Sequence, residues 1–120
     1  MKYAVLDTSF IISCIRNKID FTEKIKFLGL KILIPIQVIR EIDNLAKSGG
    51  KLKEEAEIAK KILNKNNEKE IDLHAKEVDS GLIDISKNDN YIIATLDREV
   101  KKKIKGKVLV IKGKKEIEII

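Results

Sequence analysis

Short apolar runs that alternate with helical segments constrain this chain most. They are YAVL (Tyr3–Leu6), KILI (Lys31–Ile34), YIIAT (Tyr91–Thr95) and VLVI (Val108–Ile111). None shows the in-out alternation of a half-exposed strand, so both faces of each must be buried. Between the runs the apolar residues recur at helical spacing. Strands alternating with helices, with every strand apolar on both sides, predict an α/β fold: a parallel sheet covered by helices on both faces.

The punctuation supports this order. After Leu6 comes Asp7, then a helix over Thr8–Arg16 with Asp7 or Thr8 as its cap. Asn17–Asp20 is a turn, and Phe21–Leu28 is a short helix closed by Gly29. Pro35 opens a helix running to about Lys47, with Ile36, Ile39, Ile42 and Leu45 or Ala46 inward. Ser48–Gly50 breaks the chain. Lys51–Lys65 is an amphipathic helix whose outer Lys/Glu face is solvated. Asn64–Lys69 reads as a polar linker and Ile71–Leu73 as a brief strand or extended connection. A helix opens at Asp79 and ends near Asn88–Asn90; a basic helix starts at Asp97 and stops at Gly106; Glu116–Ile120 is a candidate fifth strand at the sheet edge. No internal repeat or boundary interrupts residues 1–120, so one domain is expected.

Composition narrows the function classes. The single cysteine, Cys14, allows neither an internal disulfide nor a cysteine-built zinc site, and its setting predicts a small buried hydrophobe. The single histidine, His74, has no evident catalytic partner. No stretch is apolar enough to span a membrane and no signal peptide is evident, so a cytoplasmic protein is expected. Charged residues make up 37% of the chain, mostly Lys and Glu, a bias found in thermophile proteins. The formal charge of +6 suits a polyanionic partner without identifying one. Much of the excess lies late in the chain: Arg98, Lys101, Lys102, Lys103, Lys105, Lys107, Lys112, Lys114 and Lys115 face a single acid, Glu99.

Beside that basic stretch the acids carry the chemistry. Ligands of open parallel sheets bind outside the carboxyl ends of the strands. Asp7 follows the first strand, and Asp97 follows YIIAT with only Leu96 between. Asp79 starts the helix that feeds YIIAT, and Glu41 lies on the helix after KILI, at the margin of its apolar face. Carboxylates gathered in one cleft repel unless protonated or neutralised by a cation. Oxygen-only donors suit Mg²⁺ or Mn²⁺, the usual apparatus of phosphodiester hydrolysis. Taken singly, each residue has a plainer role. Asp7, Asp79 and Asp97 are all good helix caps, Glu41 and the lysines read as solvated surface, and Thr8, Ser9 and Thr95 as capping or strand hydroxyls. The alternative role for those hydroxyls is to orient the carboxylates.

The joint pattern resembles the PIN domain family over essentially the whole chain. VLDTSF is similar to the family's strand-Asp-Thr/Ser start, IPIQVIREIDNL to its proline-led helix bearing a Glu, VDSGLIDIS to its D-x-x-I helix opening, and YIIATLDREVKKKI to its late T-x-D strand and basic helix. The resemblance implies a three-layer α/β/α Rossmann-like fold and an Mg²⁺- or Mn²⁺-dependent endoribonuclease. It implies Asp7, Glu41, Asp79 and Asp97 as metal ligands and catalytic acids, and Thr8 and Thr95 as supporting hydroxyls. Arg98, Lys101, Lys102, Lys103 and Lys105 are the expected RNA contacts, and single-stranded RNA is the expected partner. Ser80 departs from relatives that carry a second acid there, and Asp84 is the candidate compensation. No zinc-ribbon cysteines are present, unlike some rRNA-processing relatives. A homodimer through the Lys51–Lys65 helix, an antitoxin or a processing partner, a VapC-type toxin role and a non-cutting binding role all stay open. A phosphate- or nucleotide-binding α/β domain is a weaker alternative, because no GxGxxG or P-loop lysine motif occurs.

Overall fold

The computed structural model describes residues 1–120. The elements are β1 (Tyr3–Leu6), α1 (Thr8–Arg16), α2 (Phe21–Phe27), β2 (Lys31–Pro35), α3 (Ile36–Ser48), α4 (Lys53–Asn66), β3 (Lys69–Ile71), α5 (Val78–Ile85), β4 (Tyr91–Ala94), α6 (Arg98–Lys103), β5 (Val108–Lys112) and β6 (Glu116–Ile119). They build one sheet in the order β3-β2-β1-β4-β5-β6. β1 lies at its centre, parallel to β2 on one side and β4 on the other. The chain therefore leaves β1 in one direction and returns on its opposite flank. The order reverses between β1 and β4, and a crevice opens there at the strands' carboxyl ends.

The unbroken apolar strands divide between two cores, as their pleat requires. Ala4, Leu6, Ile32, Ile34, Ile92 and Ala94 join a 21-residue cluster under α1–α4. Val5, Leu33 and Ile93 point the other way into a six-residue cluster with Leu82 of α5 and Val100 of α6. Helices thus cover both faces, unequally. Cys14 is fully buried in the larger core, and burial pushes its thiol up to about 12, which keeps it protonated. No helix is long and apolar enough to cross a membrane.

Several expectations are corrected. The sheet is mostly, not wholly, parallel, because β6 runs antiparallel to β5. The cause is the tight turn between them: Gly113 and Lys114 both take positive φ, and Lys115 N–H donates to Lys112 O at 3.3 Å. Ile71–Leu73, expected as a brief strand or an extended connection, contributes only Ile71 to a strand: β3 is Lys69–Ile71, a polar edge strand on β2 that absorbs the end of the expected linker. α4 extends through Asn66 and stops at the left-handed Asn67. α5 ends at Ile85 rather than near Asn88–Asn90, where Ser86 Oγ donates back to Ile83 O at 2.6 Å. On α3 the buried residues are Val38, Ile42 and Ala46, one true i, i+4, i+8 stripe, while Ile36, Ile39 and Leu45 are only half-buried.

Candidate active site

Asp7 is shared by sheet and helix. Its N–H donates to Ala94 O of β4 at 2.9 Å, as a further rung of the ladder. Its carbonyl accepts from Ile11 N–H, the first bond of α1, so Asp7 is also the N-cap. The carboxylate is thereby fixed at the point where β1 and β4 part. Oδ1 accepts the Thr8 N–H at 2.8 Å. Oδ2 accepts the Thr95 hydroxyl at 2.7 Å, and the Ser9 hydroxyl lies farther off at 3.4 Å. Thr95 Oγ1 in turn accepts the Asp97 N–H at 3.2 Å, and Ser9 Oγ accepts the Leu96 N–H at 3.2 Å. Side-chain bonds therefore lace the tip of β1 to the tip of β4.

The cleft above this lacing holds about 700 Å³. α1 supplies one wall through Thr8, Ser9, Ile12, Ser13 and Arg16, a stripe at helical spacing. Glu41 and Leu45 of α3 and Leu52 enter from a second side, Val78 and Asp79 of α5 from a third, and Leu96 and Asp97 after β4 complete it. The fold thus brings Asp7, Glu41, Asp79 and Asp97 to one cleft. Thr95 lies fully buried beneath it.

Each acid has a distinct environment. Burial pushes the Asp7 carboxyl up; the Thr95 and Thr8 bonds oppose this, and Glu41 and Asp79 add to it. Asp79 is also held up, by desolvation and then by Asp97, Glu41 and Glu77, against the pull of Lys103. The expected capping role of Asp79 is corrected: Glu77 occupies the N-cap of α5, and Asp79 sits within the first turn, free to face the cleft. Asp97 caps α6, with Oδ1 accepting the N–H groups of Glu99 at 2.9 Å and Val100 at 3.4 Å. Its second oxygen remains uncommitted. No hydrogen bond or ion pair engages the Glu41 carboxylate, which projects from the exposed side of α3.

Thr8 differs from expectation. It reaches Asp7 through its backbone N–H, and its buried hydroxyl has no hydrogen-bond partner. An unpartnered buried hydroxyl costs about 1–3 kcal/mol, which marks this wall of the cleft as shaped for a polar guest. As placed, the side chains do not bring three acids around one point, so no closed cation cage is present. The donor set nevertheless fits a hard divalent cation in kind: it is all oxygen, and two of its carboxyls are raised.

Other candidates lie apart. Arg98, Lys101, Lys102 and Lys103 form α6, with Lys105 just beyond, and none lines the cleft itself. Lys102 pairs with Glu99 at 3.7 Å. Asp84 is exposed, pairs with Lys87 at 3.6 Å, and does not line the cleft. Ser80 donates to Glu77 O at 3.1 Å, within its own helix turn.

Sequence reasoning passed over Ser13, Arg16 and Gln37. Arg16 continues the α1 stripe that starts at Thr8, and that periodicity was its available signal. Gln37 has no local signal. Its amide spans to the segment after β3, donating to Asp72 Oδ1 at 2.9 Å and accepting the Leu73 N–H at 3.3 Å. Leu73 and Ala75 then pack on Gly81, where an added Cβ would stand 2.8 Å from Leu73 Cβ. This contact seats α5 and so places Asp79.

Comparison with known proteins agrees with this geometry. A family model described as PIN domain matches residues 4–115. Ribonuclease VapC4 of Methanocaldococcus jannaschii is 34% identical over 125 aligned positions, covering 96% of this chain and 94% of the relative. Among solved structures, the PIN domain endonuclease Utp24 superimposes with a TM-score of 0.78 at 22% identity, over 98% of this chain and 90% of that one. A Pyrobaculum aerophilum protein gives 0.59 at 16% identity, over 87% and 81%. The structural likenesses bear on fold alone; the family model takes in the ends of β1–β5 and all four acids of the cleft. The chain belongs to the PIN domain family.

Proposed function

We propose that this protein is an Mg²⁺- or Mn²⁺-dependent endoribonuclease that hydrolyses phosphodiester bonds of single-stranded RNA in its cleft. One observation carries most weight: a buried carboxylate, Asp7, is bonded across the sheet's reversal point to Thr95, with Glu41, Asp79 and Asp97 lining the same cleft. The relative named a ribonuclease aligns along nearly the full chain, which supports the same activity. Asp7, Glu41, Asp79 and Asp97 are the residues that would hold the cation. Bound there, it would supply Lewis-acid polarisation of the phosphate and charge neutralisation at the leaving oxygen.

The chain's own residues do the rest. Thr95 and the Thr8 N–H fix the Asp7 carboxylate in one orientation. Asp97 offers the oxygen that its cap bonds leave uncommitted. Asp79, in the first turn of α5, faces the same cleft as Asp7 and Asp97. Arg98, Lys101, Lys102, Lys103 and Lys105 hold the RNA backbone beside the cleft.

The test is cleavage of a labelled single-stranded RNA with Mn²⁺, with Mg²⁺ and with EDTA. Metal-dependent cleavage that Asp7→Asn abolishes supports the reading; an Asp7→Asn protein that cuts as fast as wild type removes the assigned site. RNA binding without cleavage would favour a non-cutting role. A second setting is the VapC-type role, a toxin held by an antitoxin; the relative's name, Ribonuclease VapC4, favours it. Growth arrest on expression, relieved by Asp7→Asn, would decide for it.

A further inference from the structure

We propose that Arg16 is a phosphate anchor for the RNA strand, occupied by Glu55 in the free protein and released from it when RNA binds. The inference rests on the RNA-cleaving reading above and adds a binding residue to it.

Arg16 is the only cation among the residues lining the cleft, where it faces four acids. It ends the cleft-facing stripe of α1 that begins at Thr8. With a rise of 1.5 Å per residue, its Cα lies about 12 Å along the helix from that of Thr8. A polyanionic strand crossing so acidic a cleft needs cations on both flanks. On one flank stand the lysines of α6, which packs on α5; on the other Arg16 lies against α4.

The bond to Glu55 is the kind that substrate can replace. Nε and Nη2 both donate to a single oxygen, Glu55 Oε2, at 3.3 and 3.1 Å. A guanidinium has five N–H donors, so three remain uncommitted here. The Arg16 side chain is 57% exposed and that of Glu55 21%, so water reaches the guanidinium and screens the pair. A phosphate takes the same fork side-on through two oxygens, a better match than one carboxylate oxygen. The plainer role is a tie between α1 and α4, aided by a cation's favourable place in the last turn of a helix. The two roles predict different behaviour of Glu55. A tie needs Glu55, whereas an anchor competes with it.

Affinity for a short fluorescent single-stranded RNA, measured by anisotropy in EDTA so that nothing is cut, separates them. Arg16→Ala should weaken binding about 5- to 10-fold, and lower the slope of log K against log salt by about 0.7, as expected for one lost phosphate contact on a single strand. Arg16→Lys should keep the charge and recover part of the affinity. Glu55→Gln should tighten binding a few-fold, and should do so far less in the Arg16→Ala background, which excludes a general effect of removing one acid. Thermal melts of the same variants show whether each still folds. The proposal is overturned if Arg16→Ala, folded, binds RNA with wild-type affinity and slope, or if Arg16→Ala and Glu55→Gln both weaken binding. Cleavage by the wild type with Arg16→Ala binding normally removes the anchor and leaves the nuclease standing. Arg16-dependent binding without metal-dependent cleavage does the reverse, and a wild type that neither binds RNA in EDTA nor cuts it with Mn²⁺ overturns both.

Discussion

Thr95→Val is the sharpest probe of the lacing between β1 and β4. The Thr95 side chain is fully buried, donates to Asp7 Oδ2 at 2.7 Å and accepts the Asp97 N–H at 3.2 Å. Valine keeps the shape and removes both bonds. A hydrogen bond to an ionised group contributes about 1.5–3 kcal/mol, so the expected loss at neutral pH with EDTA present is about 2–3 kcal/mol. For a chain of this length that lowers Tm by about 6–15 °C. The loss should also depend on pH, with a definite sign. Burial already holds the Asp7 carboxyl above its ordinary 3.8, and the Thr95 bond opposes that rise. A carboxyl raised in the native state binds more protons there than when unfolded. Its ionisation therefore removes stability as pH climbs from about 3.8 through the native value, and none of that stability is lost below the window. Thr95→Val raises the native value further and widens the window upward. Melts from about pH 3.5 to 8 should show a large gap between wild type and variant at neutral pH. Below about pH 4 the gap should shrink to the roughly 1 kcal/mol of a neutral hydrogen bond. A gap that is flat with pH, or no gap at pH 7, would refute the account of how Asp7 is held.

The other acids and the seat of α5 give further tests. Mn²⁺ should raise Tm of the wild type, by the equivalent of about 2.7 kcal/mol at a hundred times its Kd. Asp79→Asn should act in two directions, raising Tm in EDTA because Asp79 ionises against burial and acidic neighbours, and reducing the Mn²⁺ increment; a lower Tm in EDTA contradicts the assigned electrostatics. Gly81→Ala should destabilise by about 1–3 kcal/mol, because its Cβ meets Leu73 Cβ at 2.8 Å and the segment after β3 must shift. A Gly81→Ala protein with wild-type Tm and wild-type Mn²⁺ response would show that this contact does not set α5.

The sequence displayed the strands because β1, β2 and β4 are buried on both faces, and that leaves an unbroken apolar run. It displayed Asp7 and Asp97 because a strand end is a fixed address: whatever follows the run must stand at the sheet edge. Glu41 and Asp79 could be singled out from the residues but not placed; the family pattern supplied their place. Each sits on a helix, and its direction depends on how α3 and α5 pack, which no local spacing records. β3 and the direction of β6 were less legible still. β3 is a polar edge strand without an apolar run. The antiparallel β6 follows from two consecutive positive φ values, one of them at a lysine, a residue that does not advertise that conformation. Gln37 was invisible for the same reason as Glu41, since its role lies in bonds to residues 35 and 36 positions away.

The four cleft acids divide by how they are held, and the division predicts how each should respond to substitution. Asp7 spends both oxygens on bonds to its neighbours, and Asp97 spends one on the first turn of α6. These are the acids at strand tips, and the same bonds that serve the fold fix their directions. Glu41 and Asp79 stand on helices without a hydrogen bond or ion pair to hold their carboxylates, and each adds, after burial, to the rise at Asp7. A cation bound in the cleft would be held by Asp7, Asp97, Glu41 and Asp79 and would supply the positive charge that offsets their mutual repulsion. Removing a free acid should then weaken the response to Mn²⁺ while sparing the fold. Loosening an anchored acid, as Thr95→Val does to Asp7, should weaken both together.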